Sequence, residues 1–224
     1  MCFMRICAVT GAARRISGEP VERWRGCTPL QTSPWDIYEK MNDQSRVAAL
    51  LLRGVNVGGA KTLPMAALRE MLVGLGLQGV QTYLQSGNAV FHDPGIVGLD
   101  GRIAAALLER FGFAAEQFLM PAARFAQVLA DNPFQAAGRL DGAKVHVVFL
   151  KQPVFVDLEA LQTWATAGER FHLGESAFYL QTPEGFGRSK VAERLGRYLK
   201  SEQTARNQRS CEAILALTQR LTVS

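Results

Sequence analysis

Arg46-Val-Ala-Ala-Leu-Leu-Leu-Arg53 is an apolar run of six residues closed by an arginine at each end. A continuous apolar run of this length is typical of a strand that is buried on both faces of a sheet. The run therefore predicts a central β-strand, and the segments that follow it can be arranged around that strand.

The segments downstream of this strand alternate between helical and strand patterns. The elements predicted up to residue 121 are, in order, a strand at Arg46–Arg53, a Gly-rich loop from Gly54 to Leu63, a helix from Pro64, a hairpin of Val80–Gln85 and Asn88–His92, a helix capped by Asp100, and a strand at Glu116–Met120. The order βαββαβ is that of the split-βαβ, or ferredoxin-like, unit.

The pattern then restarts after a linking helix. The elements predicted in this second part are the linking helix Ala122–Ala130, a strand at Lys144–Leu150, a helix from Asp157 that carries Leu158, Leu161 and Trp164, a hairpin of Arg170–Leu173 and Ala177–Gln181, a helix capped by Ser189, and a final helix at Asn207–Leu221. The repeat is βαββα, with the last helix at the place where another strand would complete a second unit.

Together these patterns predict an α+β protein built on a duplicated plan. We expect two ferredoxin-like subdomains, residues 44–121 and residues 122–224, the second ending in an extra helix. Met1–Lys40 holds three of the four cysteines and two of the three tryptophans but keeps no period of 2 or 3.6 residues. Residues 1–43 are therefore predicted to be a disordered extension.

The net positive charge of the chain comes entirely from one segment. The net charge is +5, and the residues from Arg188 onward contain eight Lys or Arg against three Glu, which accounts for all of it. A basic segment attracts anions, phosphate groups included. A solvated helical face with surplus arginines explains the same composition.

Several classes of protein are disfavoured by the composition. No apolar run approaches the roughly 20 residues that span a bilayer, so we expect no membrane association. Cys211 is the single cysteine after residue 40, which fits a reducing cytoplasm, and its apolar neighbours indicate a buried small hydrophobe. The three histidines lack the spacing of a zinc site, so we expect neither a metal nor a cofactor.

Two polar loops of the first subdomain are candidate binding elements. The loop after the first strand offers Arg53, Asn56 and Lys61 beside flexible glycines that can present backbone N–H groups to a phosphate. It is not a Walker A loop, because Ala60 stands before the lysine. The hairpin tip offers Ser86 and Asn88, although turn chemistry alone explains both residues and no base is assigned to activate the serine.

Two basic segments of the second subdomain each precede a predicted helix. Arg188 and Lys190 surround the capping Ser189, and Arg206 and Asn207 open the final helix. Helix N-termini carry partial positive charge, so these segments predict an anion site shared with Arg53 or Lys61. The alternative is that the arginine and asparagine side chains fasten the two helices together.

Four motifs in order resemble a bacterial family, the domain of unknown function 1697. They are Leu51-Leu-Arg-Gly-Val-Asn-Val-Gly-Gly59, Thr82-Tyr-Leu-Gln-Ser-Gly-Asn88, Gly185-Phe-Gly-Arg-Ser-Lys190 and Thr204-Ala-Arg-Asn207. The resemblance spans Val47 to Leu221 and implies a cytoplasmic protein with two ferredoxin-like subdomains, but no activity. Gln208 stands where the family usually has a tryptophan, which puts in doubt any stacking contact made there.

Three hypotheses for function follow. The first is a binding module for a phosphate-bearing ligand, either a nucleotide or a nucleic acid. The second is an enzyme that acts on a phosphorylated small molecule, for which no catalytic residue is assigned, and the third is a protein-interaction scaffold. The basic C-terminal segment favours the first hypothesis.

Overall fold

The structure is a computed structural model that describes residues 47–59 and 61–223. The first half contains β1 (Val47–Leu52), α1 (Met65–Gly74), β2 (Gln78–Tyr83), β3 (Asn88–His92), α2 (Leu99–Phe111) and β4 (Gln117–Pro121). The second half contains α3 (Ala122–Ala130), α4 (Gln135–Leu140), β5 (Val145–Leu150), α5 (Leu158–Gln162), β6 (Arg170–Leu173), β7 (Ala177–Gln181), α6 (Lys190–Leu199), β8 (Gln203–Asn207) and α7 (Gln208–Val223).

Each half forms one four-stranded antiparallel sheet, and the two sheets have the same topology. The strand orders are β2-β3-β1-β4 and β6-β7-β5-β8. In each sheet the first strand of the half is central and pairs antiparallel with two neighbours. All six residues of β1 and of β5 are buried, as the continuous apolar runs predict. The predicted α+β class is confirmed, with one four-stranded antiparallel sheet in each half.

The prediction that the second half lacks its last strand is wrong. Gln203–Asn207 forms β8 and pairs with β5, so Arg206 lies in a strand instead of at a helix start. The segment contains no large apolar residue, and its burial alternates because Thr204 and Arg206 point inward. Its strand conformation comes from the edge that β5 offers.

Local start signals are confirmed in the second half and corrected in the first. Asp157 and Ser189 cap α5 and α6, since each side chain accepts a bond from a backbone N–H three residues on. The predicted cap Asp100 lies inside the first turn of α2, and Gly98 occupies the N-cap in a left-handed conformation. Helix α5 ends at Gln162, so Trp164 is not part of its packed stripe.

The packing forms five layers, with helices between and outside the two sheets. Helices α1 and α2 cover the outer face of the first sheet, and α5 and α6 cover the outer face of the second. The inner faces of both sheets share a core with α3 and α7, and this core includes Ile214 and Leu221 of α7 together with strand residues such as Leu51 and Phe149. Helix α7 therefore belongs to the core of both sheets.

Cys211 lies in this shared core and is fully buried. Burial raises the pKa of its thiol to about 12, because the thiolate has no water around it. The residue packs as a small apolar side chain on α7, as its neighbours in the sequence predict.

All the described residues belong to one compact unit, Thr32–Ser224. The proposed subdomain limits 44–121 and 122–224 therefore remain a division by topology. The predicted disorder of residues 1–43 lies outside the described residues.

We expect Leu52→Asp to prevent folding. The Leu52 side chain is 1% exposed at the end of β1, and an unpaired carboxylate there costs several kcal/mol, against a total stability of about 5–15 kcal/mol. Leu84→Asp is the matched control, because Leu84 is 57% exposed at the hairpin tip. Far-ultraviolet circular dichroism should show native structure only for the control, and a native, cooperatively melting Leu52→Asp protein would contradict the placement of β1.

Candidate functional site

Arg206 crosses from the second half of the molecule to the first. Its side chain is buried, and Nε donates to Asn88 Oδ1 at 2.6 Å while Nη2 donates to the carbonyl oxygens of Leu52 at 2.7 Å and Ser86 at 2.9 Å. Nη1 donates within β8, to Thr204 Oγ1 at 2.9 Å and Ala205 O at 2.8 Å. Three of these five hydrogen bonds thus join β8 to the end of β1 and the hairpin tip.

The charge of Arg206 has no carboxylate partner among the described residues. Burial lowers the pKa of its guanidinium to about 10, which leaves it protonated at neutral pH. Carbonyl and amide dipoles therefore balance the buried charge.

Asn88 connects this arginine to the hairpin. The side chain is fully buried, and Nδ2 donates to the Tyr83 carbonyl and to Ser86 Oγ, both at 2.9 Å. Gly87, between Ser86 and Asn88 in the sequence, has φ +72°, and a Cβ at this position would lie 2.6 Å from Val55 Cγ2. Glycine is required at this tip, and the Ser86 hydroxyl is an acceptor in the turn.

Asn56 closes the Gly-rich loop and fastens it to the same hairpin. Its Nδ2 donates to the carbonyl oxygens of Leu63 at 2.9 Å and Gln85 at 2.7 Å, and its Oδ1 accepts from Leu63 N–H at 2.8 Å. The backbone at Asn56 is left-handed, with φ 55°, which asparagine tolerates better than most residues. We call Asn56, Ser86, Asn88 and Arg206 the seam network, since together they connect the two halves.

A second set of charges lies where β1 and β5 end. Lys151 Nζ is 3.0 Å from a Glu202 carboxylate oxygen and 3.5 Å from one of Glu116, so it pairs with both halves. The hydrogen bond from Lys151 is the main cause that lowers the pKa of Glu202, and Arg53 adds to it. Sequence analysis missed this cluster, because its members lie in separate loops without a shared motif.

The side chains of Lys61, Arg188 and Lys190 have partners outside the seam network. Lys61 Nζ donates to the Ala114 carbonyl at 2.7 Å, next to the start of β4. At the start of α6, Arg188 pairs with Glu184 at 3.9 Å and Lys190 with Glu193 at 3.2 Å. The structure thus brings together Asn56, Ser86, Asn88 and Arg206. The Lys61 carbonyl oxygen accepts from Asn56 N–H at 2.8 Å, but no hydrogen bond or ion pair within the described ranges joins the side chains of Lys61, Arg188 or Lys190 to this network.

Asn207 and Gln208 hold the start of α7. Asn207 Oδ1 accepts from Ser210 N–H at 2.9 Å, so this residue, predicted as an anion contact at the start of the final helix, caps α7. Gln208, at the position where the family resemblance expects tryptophan, is buried and is hydrogen-bonded to Asn132 at 3.0 Å and Glu212 at 2.8 Å. A polar contact therefore fills the place of the aromatic one.

Sequence analysis also missed a surface of rings and cations on α6 and its surroundings. We call it the aromatic–basic surface, and its members are Phe155, Trp164, Arg194, Arg197, Tyr198 and Lys200. An open cleft of about 370 Å³ is lined by Phe155, Arg197, Tyr198 and Lys200 together with Asp157. Phe155 lies between two valines in the sequence, which made it resemble a core residue.

His146 is a buried polar residue behind the turn that leads into α6. Its ring lies 4.4 Å from the Phe186 ring, and its Nδ1 has no hydrogen-bond partner among the described residues. Burial lowers the pKa of His146 to about 4, because the imidazolium would lose its hydration. The residue is therefore neutral at physiological pH.

The described residues contain no group of three or more His, Cys, Asp or Glu side chains that could hold a metal ion. Within the same ranges, every helix is too short or too polar to cross a bilayer.

Comparisons with known proteins agree with this fold. The family described as "Protein of unknown function (DUF1697)" matches residues 46–179, more than half of the chain. The motifs around Lys190 and Asn207 lie beyond that match. A solved structure, the conserved bacterial protein SP0830 from Streptococcus pneumoniae, has a TM-score of 0.61 and 24% identity, over 77% of this chain and 98% of that one. Among curated proteins, none matches the chain.

We expect Arg206→Ala to destabilise the protein by about 3 kcal/mol or more. The substitution leaves Asn88 Oδ1 and the carbonyl oxygens of Leu52 and Ser86 without their donor in a buried place, at about 1–3 kcal/mol each. Arg209→Ala, with a side chain that is 69% exposed, should change stability by less than about 0.5 kcal/mol. Urea unfolding measures both, and equal midpoints would show that the seam network contributes little.

We expect stability to fall between pH 6.5 and pH 4, partly through His146. Its folded-state pKa of about 4 lies below the unfolded value of 6.5, so acid protonates the unfolded chain first, and the loss reaches up to about 3 kcal/mol. Carboxylates also titrate in this window. The measured quantity is therefore the difference in pH slope between the wild type and His146→Phe.

The control for this slope is His172→Phe, on the exposed face of β6. The His146 variant should lose stability less steeply in acid than the control does. Indistinguishable slopes in urea midpoints between pH 4 and 6.5 would refute the assignment.

Proposed function

Because the chain belongs to the DUF1697 family, whose description assigns no activity, we propose a function from its own surface: a binding module for a phosphate-bearing ligand, a nucleotide or a nucleic acid. The cytoplasmic location that the family resemblance implies is part of the same proposal.

The observation that carries the proposal is the exposed row of cations along α6 and the turn before it. The Arg188 and Lys190 side chains are 80% and 58% exposed, and Arg197 and Lys200 are exposed further along the helix. Glu184 and Glu193 pair with some of these residues at the surface, where ion pairs contribute little and exchange readily. A ligand phosphate can replace such a carboxylate.

The N-terminus of α6 adds to this charge. Ser189 caps the helix between Arg188 and Lys190, so the positive end of the helix dipole lies beside both side chains. We propose these two residues as direct anion contacts.

The remaining predicted site residues have different proposed roles. Asn56, Ser86, Asn88 and Arg206 support binding indirectly, because the seam network holds both halves in place and its polar atoms already have partners. Asn207 caps α7 in the same structural sense. Arg53 and Lys61, on the loop of the first half, are secondary candidates for contact with a longer ligand.

We expect the protein to bind labelled oligonucleotides with an affinity that falls as salt rises. The logarithm of the binding constant should decrease linearly with the logarithm of salt concentration, because bound cations release counterions from the phosphates. Fluorescence anisotropy of the full chain measures this, and Arg188→Gln/Lys190→Gln should weaken binding by about tenfold at low salt.

The matched control is Arg102→Gln/Arg110→Gln, which removes the same charge from α2 in the first half. Thermal shifts with nucleotides and sugar phosphates accompany the titration. Binding of these small molecules without polymer binding would favour the enzyme hypothesis. The absence of any salt-dependent binding or thermal shift would overturn the proposal.

A further inference from the structure

Phe155 presents its side chain entirely to solvent. It is 104% exposed in the segment between β5 and α5, while its neighbours Val154 and Val156 pack against the core of the second half. The two valines hold the backbone, so the ring is fixed outward at its base. A single exposed ring is ordinary on a protein surface, so the interpretation of Phe155 depends on the aromatic and basic side chains around it.

Tyr198 lines the same cleft as Phe155 and is hydrogen-bonded to a second aromatic residue. Trp164 Nε1 donates to Tyr198 Oη at 3.0 Å, and the Arg194 guanidinium lies 3.8 Å from the centre of the Trp164 ring. Three rings therefore occur on one continuous surface, with Tyr198 shared between the tryptophan and the cleft.

The cations of this surface lie near the C-terminal end of α6. Arg194 and Arg197 are three residues apart on the helix, about 4.5 Å along its axis, and Lys200 is the C-cap residue that follows it. Arg194 pairs with Glu193, whereas Arg197 and Lys200 form no ion pair within the described part of the chain. The one acid in the cleft, Asp157, uses Oδ1 to cap α5.

The combination of rings and a line of cations selects one chemistry. Single-stranded nucleic acid exposes the faces of its bases and carries a phosphate at every step, so it uses both components at once. A duplex keeps its bases stacked on each other and gains only from the cations. An acidic peptide likewise gains only from the cations, and a mononucleotide reaches only part of the surface.

We propose that the aromatic–basic surface binds single-stranded nucleic acid, with bases stacked on Phe155 and Tyr198 and the backbone along Arg197 and Lys200. This inference rests on the proposed function and names its site and ligand class. The contacts read no base edges, so binding tolerates different sequences.

The test measures anisotropy of labelled oligo(dT), oligo(dA) and a blunt DNA duplex with the full chain and with Phe155→Ala. Loss of one stacked base should weaken binding of both single strands by about tenfold while leaving duplex binding unchanged. Phe155→Tyr should keep the wild-type affinity, because it retains a ring. The full exposure of Phe155 makes a folding defect unexpected, and thermal melting checks this directly.

Two controls separate this inference from the proposed function. Val97→Ala removes an apolar side chain that is 86% exposed in the first half and should leave the affinity for every oligonucleotide unchanged. Arg197→Gln should weaken the binding of single strands, and the loss should depend on salt concentration. The inference fails and the proposed function stands if the protein binds phosphate-bearing ligands but binds duplex and single strand with equal affinity. The same holds if Phe155→Ala leaves the affinity for single strands unchanged. If neither nucleotide nor polymer binds, both fail.

Discussion

The guanidinium of Arg206 is the group on which the relation of the two halves depends. A buried charge without a carboxylate is tolerated only when every donor finds an acceptor, and here the acceptors come from β8, from the end of β1 and from the hairpin tip. The planar fork fixes the directions of these bonds, so the three segments have little freedom relative to one another. Asn56 in the Gly-rich loop, and Gly87 and Asn88 in the hairpin, complete the seam network around this arginine.

The burial of Arg206 divides the basic C-terminal segment into two parts with different roles. Arg206 lies inside, where its charge holds the chain together. The cations from Arg188 to Lys200 lie outside, where they face water and weak carboxylate partners. Net charge alone does not distinguish these two uses, which explains why the sequence interpretation joined them in one anion site.

Much of the fold was predictable because it follows from local apolar patterns. Residues close together in the sequence are enough to predict the apolar runs of β1 and β5, the helical stripes, and the caps Asp157 and Ser189. Strand β8 was not, because a polar strand depends on the free edge of β5, a partner far away in the chain. Among the predicted site residues, Asn207 lies at the start of the final helix, where the sequence put it, whereas the environment of Arg206 is decided by tertiary contacts. The exposure of Phe155 and Trp164 had no local signal either, since both residues resemble core residues in the sequence.

The shared position of α7 has a consequence for how the protein is made. This helix follows the eight strands of the described residues and covers the inner faces of both sheets, so a ribosome releases it after the strands that it covers. During synthesis the first sheet has its outer helices but keeps residues such as Ala49, Leu51 and Val90 uncovered on the other side. Folding of the nascent chain is therefore completed late, through long-range contacts, and the apolar inner face is prone to aggregation until α7 has been synthesised.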